Sequence, residues 1–137
     1  MKYLLDTCVI SELAKPQKSS VKDFILKQPE ESLFLSVITI GEITKGIELL
    51  ENRERKSKLE NWLSSLKKHY AEKILSVTTE TSEIWGTITA KEQSKGRTLG
   101  VPDGLIAASA IEHGLTLVTR NVKDFESTGV QLINPWE

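Results

Sequence analysis

Short apolar runs alternate with amphipathic stretches along most of the chain. Five of these runs predict β-strands, at Tyr3–Leu5 and at residues 32–36, 74–77, 116–119 and 130–133. Between them, apolar side chains recur every three or four residues, which is the spacing of one buried helix face. This repeated alternation of strand and helix favours an α/β fold with a parallel sheet wrapped by helices.

Proline, glycine and small polar residues mark where the predicted helices begin and end. Pro16 stops the first helix, whereas Pro102 begins the last long one and Gly114 caps its end. The charged run over residues 51–58 is interpreted as a solvated turn or a helix end, and a single helical turn is predicted over 121–125. The longer helices are predicted over residues 7–15, 19–28, 38–50, 59–66, 79–96 and 102–113.

Length and composition are those of an ordinary globular protein. The 137 residues are 39% hydrophobic and 27% charged, which predicts one domain over residues 1–137. No run approaches the roughly 18 apolar residues of a membrane span, and no secretory signal is visible. The single cysteine, Cys8, excludes an internal disulfide and fits a reducing compartment, so we expect a cytoplasmic protein. The net charge of -1 excludes a strongly basic binder, but a bound metal or a local basic rim can still attract a polyanion.

Acidic residues follow the predicted strands where an open parallel sheet binds its ligands. Asp6 comes directly after the first strand, Asp103 lies at the start of the last long helix, and Asp124 follows the fourth strand. Glu42 lies one turn inside the third helix. Because the carboxyl ends of parallel strands meet at one edge, these carboxylates are expected to converge. Such a cluster is unfavourable without cations, and oxygen ligands suit Mg²⁺ or Mn²⁺, so the pattern predicts a metal-dependent nuclease.

Each of the four acids also has an ordinary explanation when it is taken alone. Asp6 can be a helix N-cap, and Asp103 can stabilise a helix N-terminus through the helix dipole. Glu42 fits an exposed helix surface, and Asp124 fits a turn. The joint pattern of four acids is what favours a shared site.

Small and polar residues near these acids add to the hypothesis. Gly41 and Gly46 flank Glu42 within a helix, although glycine costs about 1 kcal/mol there relative to alanine. That cost suggests a close approach by backbone, partner or substrate. Thr119 is a candidate for holding a metal-bound water and Asn121 for orienting a carboxylate, although a simple turn explains both residues nearly as well.

Four segments in register resemble the PIN-domain family. They are Leu4-Leu5-Asp6-Thr7, the helical Glu42 after Leu35-Ser36, Pro102-Asp103-Gly104-Leu105-Ile106-Ala107-Ala108, and Thr119-Arg120-Asn121-Val122-Lys123-Asp124-Phe125. The likeness covers essentially the whole chain, and it points in particular to the VapC toxins of type II toxin–antitoxin pairs, including the FitB-like subgroup. The resemblance implies a PIN-like three-layer α/β fold, with a five-stranded parallel sheet flanked by helices.

The same resemblance implies a Mg²⁺- or Mn²⁺-dependent endoribonuclease. Its catalytic and metal-binding acids fall on Asp6, Glu42, Asp103 and Asp124, with Thr7, Thr119 and Asn121 in supporting positions. We expect Asp6 and Asp103 to bind the first ion and Glu42 either to complete that site or to hold a metal-bound water, while Asp124 helps a second ion. Many PIN domains carry an aspartate where this chain has Asn121, so either Asn121 or Asp124 fills the fourth acidic position.

Partners also follow from the resemblance. Family members are usually homodimers, inhibited by a small antitoxin whose tail enters the active-site groove. Many such antitoxins bind operator DNA, so we expect DNA to be reached only through the antitoxin. Positive side chains are candidates for binding RNA phosphates, although solvated helix faces explain most of them as well. They are Lys45, Lys91, Lys95, Arg97, Arg120 and Lys123.

Two other classes of function remain open from the sequence. A phosphotransfer enzyme of the haloacid-dehalogenase type needs a second aspartate two positions after the first, where this chain has Cys8. A receiver domain needs an acidic pair at its first strand and an aspartate after its third, where this chain has Thr78 and Thr79. A non-catalytic interaction domain, with the acids as helix caps, is the stronger of the two alternatives.

Overall fold

The fold is a five-stranded parallel sheet with helices packed on both faces. The computed structural model describes all residues from Met1 to Glu137. The strands lie in the order β3-β2-β1-β4-β5, and every neighbouring pair is parallel. In chain order, β1 to β5 are Tyr3–Leu5, Leu33–Ser36, Ile74–Leu75, Thr116–Val118 and Leu132–Ile133.

Seven α-helices connect the strands, and side chains cap several of their first turns. The Ser19 hydroxyl accepts a hydrogen bond from the Lys22 N–H, and Thr78 forms a capping box with Thr81. No helix combines the length and apolar character needed to cross a bilayer. In chain order, α1 to α7 are Thr7–Leu13, Ser20–Lys27, Val37–Glu48, Arg53–His69, Thr79–Ser94, Val101–His113 and Val122–Phe125.

Alternation along the strands divides the interior into two hydrophobic cores. Tyr3 and Leu5 of β1 point to one face, where α1 to α4 contribute apolar side chains such as Ile43. Leu4 points to the other face, where α5 and α6 contribute side chains such as Ile106. Because both faces of the sheet are covered, the molecule has the three layers that the resemblance implies.

The strand order creates a switch point at the middle of the sheet. Strands β1, β2 and β3 follow one another from the middle of the sheet towards one side. The chain then crosses back, and β4 and β5 lie on the other side of β1. Ligands of open α/β sheets bind at the carboxyl ends of the strands at such a point, and Asp6 follows β1 there. The order also differs from the 2-1-3-4-5 arrangement of receiver domains, which removes that alternative.

Three details of the predicted elements were wrong. The charged run over 51–58 is helical from Arg53 onwards, because the Asn52 side chain caps the first turn of α4. The strands predicted over 74–77 and 130–133 are each only two residues long. Ile111, predicted on the buried face of α6, is 39% exposed.

Glycine marks a close approach in this fold, but not beside Glu42. A Cβ built on Gly41 or Gly46 would meet no atom within 4 Å, so the expectation of close backbone packing there was wrong. A Cβ on Gly104, in the first turn of α6, would lie 2.8 Å from Cδ1 of Trp85. Gly104 therefore lets α5 and α6 pack closely directly beside Asp103.

Candidate active site

Asp6 lies at the carboxyl edge of the sheet, between β1 and α1. Its backbone N–H donates to the Val118 carbonyl at 3.0 Å, which extends the pairing of β1 with β4. Its Oδ1 accepts from the Thr7 N–H at 2.8 Å, and its Oδ2 accepts from the Thr119 hydroxyl at 2.8 Å and the Cys8 thiol at 3.6 Å. Only 4% of Asp6 is exposed, and burial raises the pKa of its carboxyl although these hydrogen bonds lower it. The residue is both the predicted cap and a buried acid.

Glu42 is joined to this region by a threonine. The Thr7 hydroxyl donates to Oε1 of Glu42 at 2.6 Å and lies 3.1 Å from the Thr39 hydroxyl. Thr7 is the first residue of α1, and Glu42 lies on α3. The hydrogen bond therefore fixes the half-buried Glu42 carboxylate beside the end of β1, where the sequence predicted a shared site.

Asp103 shows that the four acids act on one another. It is the third residue of α6 and is half-buried. Burial is the largest cause that raises the pKa of its carboxyl to about 6, and the negative charges of Asp6, Glu42 and Asp124 add to it. All four predicted acids thus share one electrostatic environment at this edge.

The segment after β4 supplies the remaining predicted residues. Thr119 is fully buried, and its hydroxyl both donates to Asp6 and accepts from the Asn121 N–H at 3.0 Å. Asp124 is exposed on α7. The Asn121 side chain is exposed and donates no hydrogen bond to a carboxylate, so its orienting role stays a prediction.

The four carboxylates interact without forming a closed cage. No three His, Cys, Asp or Glu side chains come close enough to make a preformed metal-ligand group. Oxygen donors that repel one another nevertheless fit a hydrated divalent cation, because Mg²⁺ keeps several waters and takes only one or two carboxylates. The arrangement fits such a cation rather than an all-protein cage.

Nearly the whole chain matches a known protein family. The model of the PIN domain matches residues 3–130. The chain belongs to the PIN-domain family. Similar proteins include the plasmid stability protein StbB of Pseudomonas syringae pv. tomato, which is 37% identical over 98% of both chains. The VapC ribonuclease Y4jK of Sinorhizobium fredii and the toxin FitB of Neisseria gonorrhoeae are each 35% identical, over at least 97% of each chain.

Solved structures share the fold of this PIN domain along its length. FitAcB from Neisseria gonorrhoeae matches with a TM-score of 0.92 and 34% identity, covering 98% of this chain and 99% of that one. FitAB bound to an IR36 DNA fragment matches with a TM-score of 0.91 and 33% identity, covering 98% and 96%. A toxin–antitoxin complex from Klebsiella pneumoniae matches at 0.74 and 26% identity, covering 99% of both. The predicted PIN-like fold is confirmed.

A polar cavity of about 470 Å³ opens beside two of the acids in this PIN domain. Asp103 and Asp124 line it together with Arg97 and Lys123, neither of which forms an ion pair. Arg97, predicted to bind RNA, therefore lies in the same cavity as Asp103 and Asp124. Lys45 is exposed on α3 outside this cavity.

A second groove, of about 540 Å³, begins at the site and runs between α1, α3 and α4. Thr7 and Glu42 line it, so it is continuous with the acidic cluster. The rest of its lining is largely apolar and includes Ile43, Ile47, Leu50, Leu59 and Trp62. Three cationic side chains also line it: Lys15, Arg55 and Lys58. The groove has the mixed character of a site for an amphipathic segment.

The sequence did not single out Glu92, which the structure places in the wall of the polar cavity. Glu92 is only 3% exposed, and its Oε2 accepts from the Ser127 hydroxyl at 2.5 Å. The contact joins α5 to the turn that follows α7, and α7 is the helix on which Asp124 lies. One signal was present, because Glu92 continues the apolar stripe of Ile84 and Ile88 at helical spacing.

Proposed function

We propose that this PIN domain is a divalent-metal-dependent endoribonuclease and the toxin of a toxin–antitoxin pair. The observation that carries the proposal is geometric: Thr7 hydrogen-bonds both Asp6 and Glu42, and Asp103 and Asp124 line one cavity at the same edge of the sheet. RNA as substrate is supported by the 35% identity to a protein named VapC ribonuclease. The toxin role is supported by the 35% identity to the toxin FitB.

Mg²⁺ or Mn²⁺ is the cofactor that these residues fit. Asp6 and Asp103 would hold the first ion, Glu42 would complete that site or hold a metal-bound water, and Asp124 would help a second ion. A bound divalent ion activates water for attack on the phosphodiester and stabilises the leaving oxygen. Burial raises the pKa values of Asp6 and Asp103 and strengthens the repulsion among the ionised carboxylates. A bound cation offsets this repulsion, which favours cation binding at neutral pH.

The chain itself orients the acids and guides the RNA strand. Both oxygens of Asp6 accept hydrogen bonds, Oδ1 from the Thr7 N–H and Oδ2 from the Thr119 hydroxyl, so the plane of this carboxylate is fixed. The Thr7 hydroxyl holds one oxygen of Glu42 and leaves the other without a protein donor. Arg97 and Lys123 offer unpaired positive charge to RNA phosphates in the cavity beside Asp103.

The groove between α1, α3 and α4 is the proposed docking site for the antitoxin. Its apolar lining and cationic rim suit an amphipathic segment that carries acidic residues, and its end at Glu42 lets that segment reach the acids. The FitAB–DNA and Klebsiella pneumoniae complexes support a protein partner. We also propose that operator DNA is reached only through the antitoxin and that the toxin is a homodimer, and the DNA-bound FitAB structure supports the first point. Co-expression with a candidate antitoxin, followed by an RNA cleavage assay of the complex, tests the inhibition.

The experiment that tests the activity is cleavage of bulk bacterial transfer RNA by purified protein. We expect cleavage with Mg²⁺ or Mn²⁺ and none with EDTA. Mutation of a residue that only hydrogen-bonds a metal ligand typically lowers metal affinity or activity about 10–100-fold. Asp6→Asn and Asp103→Asn change the ligands themselves, so each should lower the cleavage rate at least about 100-fold.

Asp23→Asn is the matched control, since Asp23 is exposed on α2 and is the one aspartate outside the site. It should cleave as the wild type does. If no RNA is cleaved, a calorimetric Mn²⁺ titration follows. Absence of both cleavage and ion binding would overturn the nuclease proposal and favour a non-catalytic interaction domain.

A further inference from the structure

Arg120 and Trp136 meet at the carboxyl edge of the sheet. The Arg120 guanidinium carbon lies 5.4 Å from the centre of the Trp136 ring, within the range of a cation–π contact. Their meeting follows from the sheet, because β4 and β5 end side by side and the Thr119 N–H donates to the Ile133 carbonyl at 3.0 Å. The chain therefore leaves the two strands with both residues in reach of each other.

Trp136 is held in place by packing and by a backbone hydrogen bond. Its ring packs against the hydrophobic core on the α1 to α4 side, and its backbone N–H donates to the Asn134 side chain at 2.9 Å. Trp136 is only half-buried, so one part of the indole remains open to Arg120. An anchored ring restricts the rotamers of a long side chain that would otherwise move freely in solvent.

The positive charge of Arg120 is not committed to any carboxylate. None of the six ion pairs of the chain includes it, although its neighbour Thr119 donates directly to Asp6. Arg97 and Lys123 line the cavity by Asp103, on the α6 side of the acids. Arg120 does not line that cavity and instead lies over Trp136, which packs on the core of α1 to α4. This edge of the sheet therefore carries unpaired positive charge at two separate places.

We propose that Trp136 is a positioning residue. It holds the Arg120 guanidinium in an orientation that lets it donate two hydrogen bonds to a backbone phosphate of bound RNA. The inference rests on the ribonuclease function proposed above. A planar guanidinium supported by an aromatic face can donate two parallel hydrogen bonds to phosphate oxygens, which a lysine cannot reproduce. Trp136 thus acts through Arg120 and does not touch the reacting atoms.

A double-mutant cycle on RNA binding tests this role. Fluorescein-labelled bulk transfer RNA is titrated with protein in EDTA, and binding is followed by anisotropy at several salt concentrations. Arg120→Ala should weaken binding about tenfold and lower the salt slope by about 0.7–0.9, the contribution of one phosphate contact. Trp136→Ala should weaken binding about threefold in the wild type and have no effect in the Arg120→Ala background, because only positioning is lost.

Conservative variants separate positioning from folding. Trp136→Phe keeps an aromatic face and should bind RNA nearly as the wild type does, whereas Arg120→Lys should keep the salt slope but lose part of the affinity. In Mg²⁺-dependent cleavage, both alanine variants should raise KM more than they lower kcat. Lys68→Ala removes an exposed cation beside the segment that precedes β3, at the opposite edge, and should change nothing.

Two results would overturn the inference. The first is wild-type affinity in Arg120→Ala. The second is an equal loss from Trp136→Ala with and without Arg120, which would make Trp136 a direct RNA contact or a purely structural residue. A wild-type protein that neither binds nor cleaves RNA would instead overturn the proposed function, and this inference with it.

Discussion

Asp103 links the charge of the acidic cluster to the stability of the fold. Burial, and then the charges of Asp6, Glu42 and Asp124, raise the pKa of its carboxyl from 3.8 to about 6. Because folding favours the protonated form, its contribution to stability is complete below about pH 4 and is lost as the pH rises through about 6. At neutral pH the ionised cluster therefore opposes folding until a cation binds.

Asp103→Asn should stabilise the cation-free protein at neutral pH. The amide cannot ionise, so the gain in the free energy of unfolding should be smallest at pH 4. It should reach about 1–2 kcal/mol at pH 7.5, allowing for solvent screening of a half-buried group. Urea unfolding in EDTA at both pH values measures it. A gain that does not grow with pH would show that neither burial nor the other acids raise the pKa of the Asp103 carboxyl.

The Thr119 hydroxyl should matter for cation binding, because it holds Asp6. Thr119→Val removes the 2.8 Å hydrogen bond at nearly constant volume and should weaken Mn²⁺ binding about 10–100-fold by calorimetry. Thr116→Val is the matched control, since Thr116 is buried on β4, three residues before Thr119, and its hydroxyl donates to Gln131. Equal Mn²⁺ affinities for the two variants would contradict the role of Thr119.

At this scale, local signals pointed to the four acids and to Thr7 and Thr119 as supporting residues, but not to the carboxylates that these two hydroxyls contact. Asp6 and Asp103 were predictable because each follows a strand or begins a helix, which the neighbouring residues reveal. The Thr119 contact with Asp6 spans 113 positions of the chain, and the Thr7 contact with Glu42 spans 35. No local pattern encodes such pairs, since they depend on how the strands are ordered.

At the scale of elements, the packing of α5 against α6 depends on Gly104. An added Cβ would lie 2.8 Å from the Trp85 ring, whose Nε1 is buried without a hydrogen-bond partner. Gly104→Ala should therefore destabilise the protein by about 1–3 kcal/mol, because the ring and the first turn of α6 must separate. Urea unfolding measures the loss.

Gly86→Ala, in α5, is expected to have the opposite effect on the stability of the protein. A Cβ there meets no atom within 4 Å, so alanine should stabilise the helix by about 0.5–1 kcal/mol. If both alanine variants change stability by the same amount, close packing at Gly104 is not the cause.

Helix ends were predictable where caps and prolines mark them, and unpredictable where charge dominates. Gly114 was predicted as the cap of α6, and its φ of 65° confirms a left-handed end. The start of α4 was missed because exposed charges suit a helix and a turn equally. The Glu54–Lys58 pair, four residues apart, belongs to the helix.

At the scale of the whole molecule, cation binding should stabilise the fold more at high pH than at low pH. Ionised acids bind the cation and protonated ones do not. At a Mn²⁺ concentration of 100 times the dissociation constant, the gain is about 2.7 kcal/mol, which corresponds to a rise of roughly 10 °C in Tm. The rise at pH 8 should exceed that at pH 5. It should be smaller in Asp103→Asn, and an equal rise in NaCl of matched ionic strength would refute specific binding.

The parallel sheet was predictable from alternation alone, but its strand order was not. Apolar runs show where strands lie, whereas the placement of β4 and β5 beside β1 depends on contacts across the whole chain. The resemblance to PIN domains supplied the three-layer arrangement, and the family match over residues 3–130 bears it out.

The groove between α1, α3 and α4 shares Thr7 and Glu42 with the acidic cluster. For the antitoxin docking proposed above, a substitution at that end that blocks the inhibitor is therefore also expected to lower RNA cleavage. Variants that escape inhibition and still cleave RNA are expected at other lining positions, such as Leu59 and Trp62.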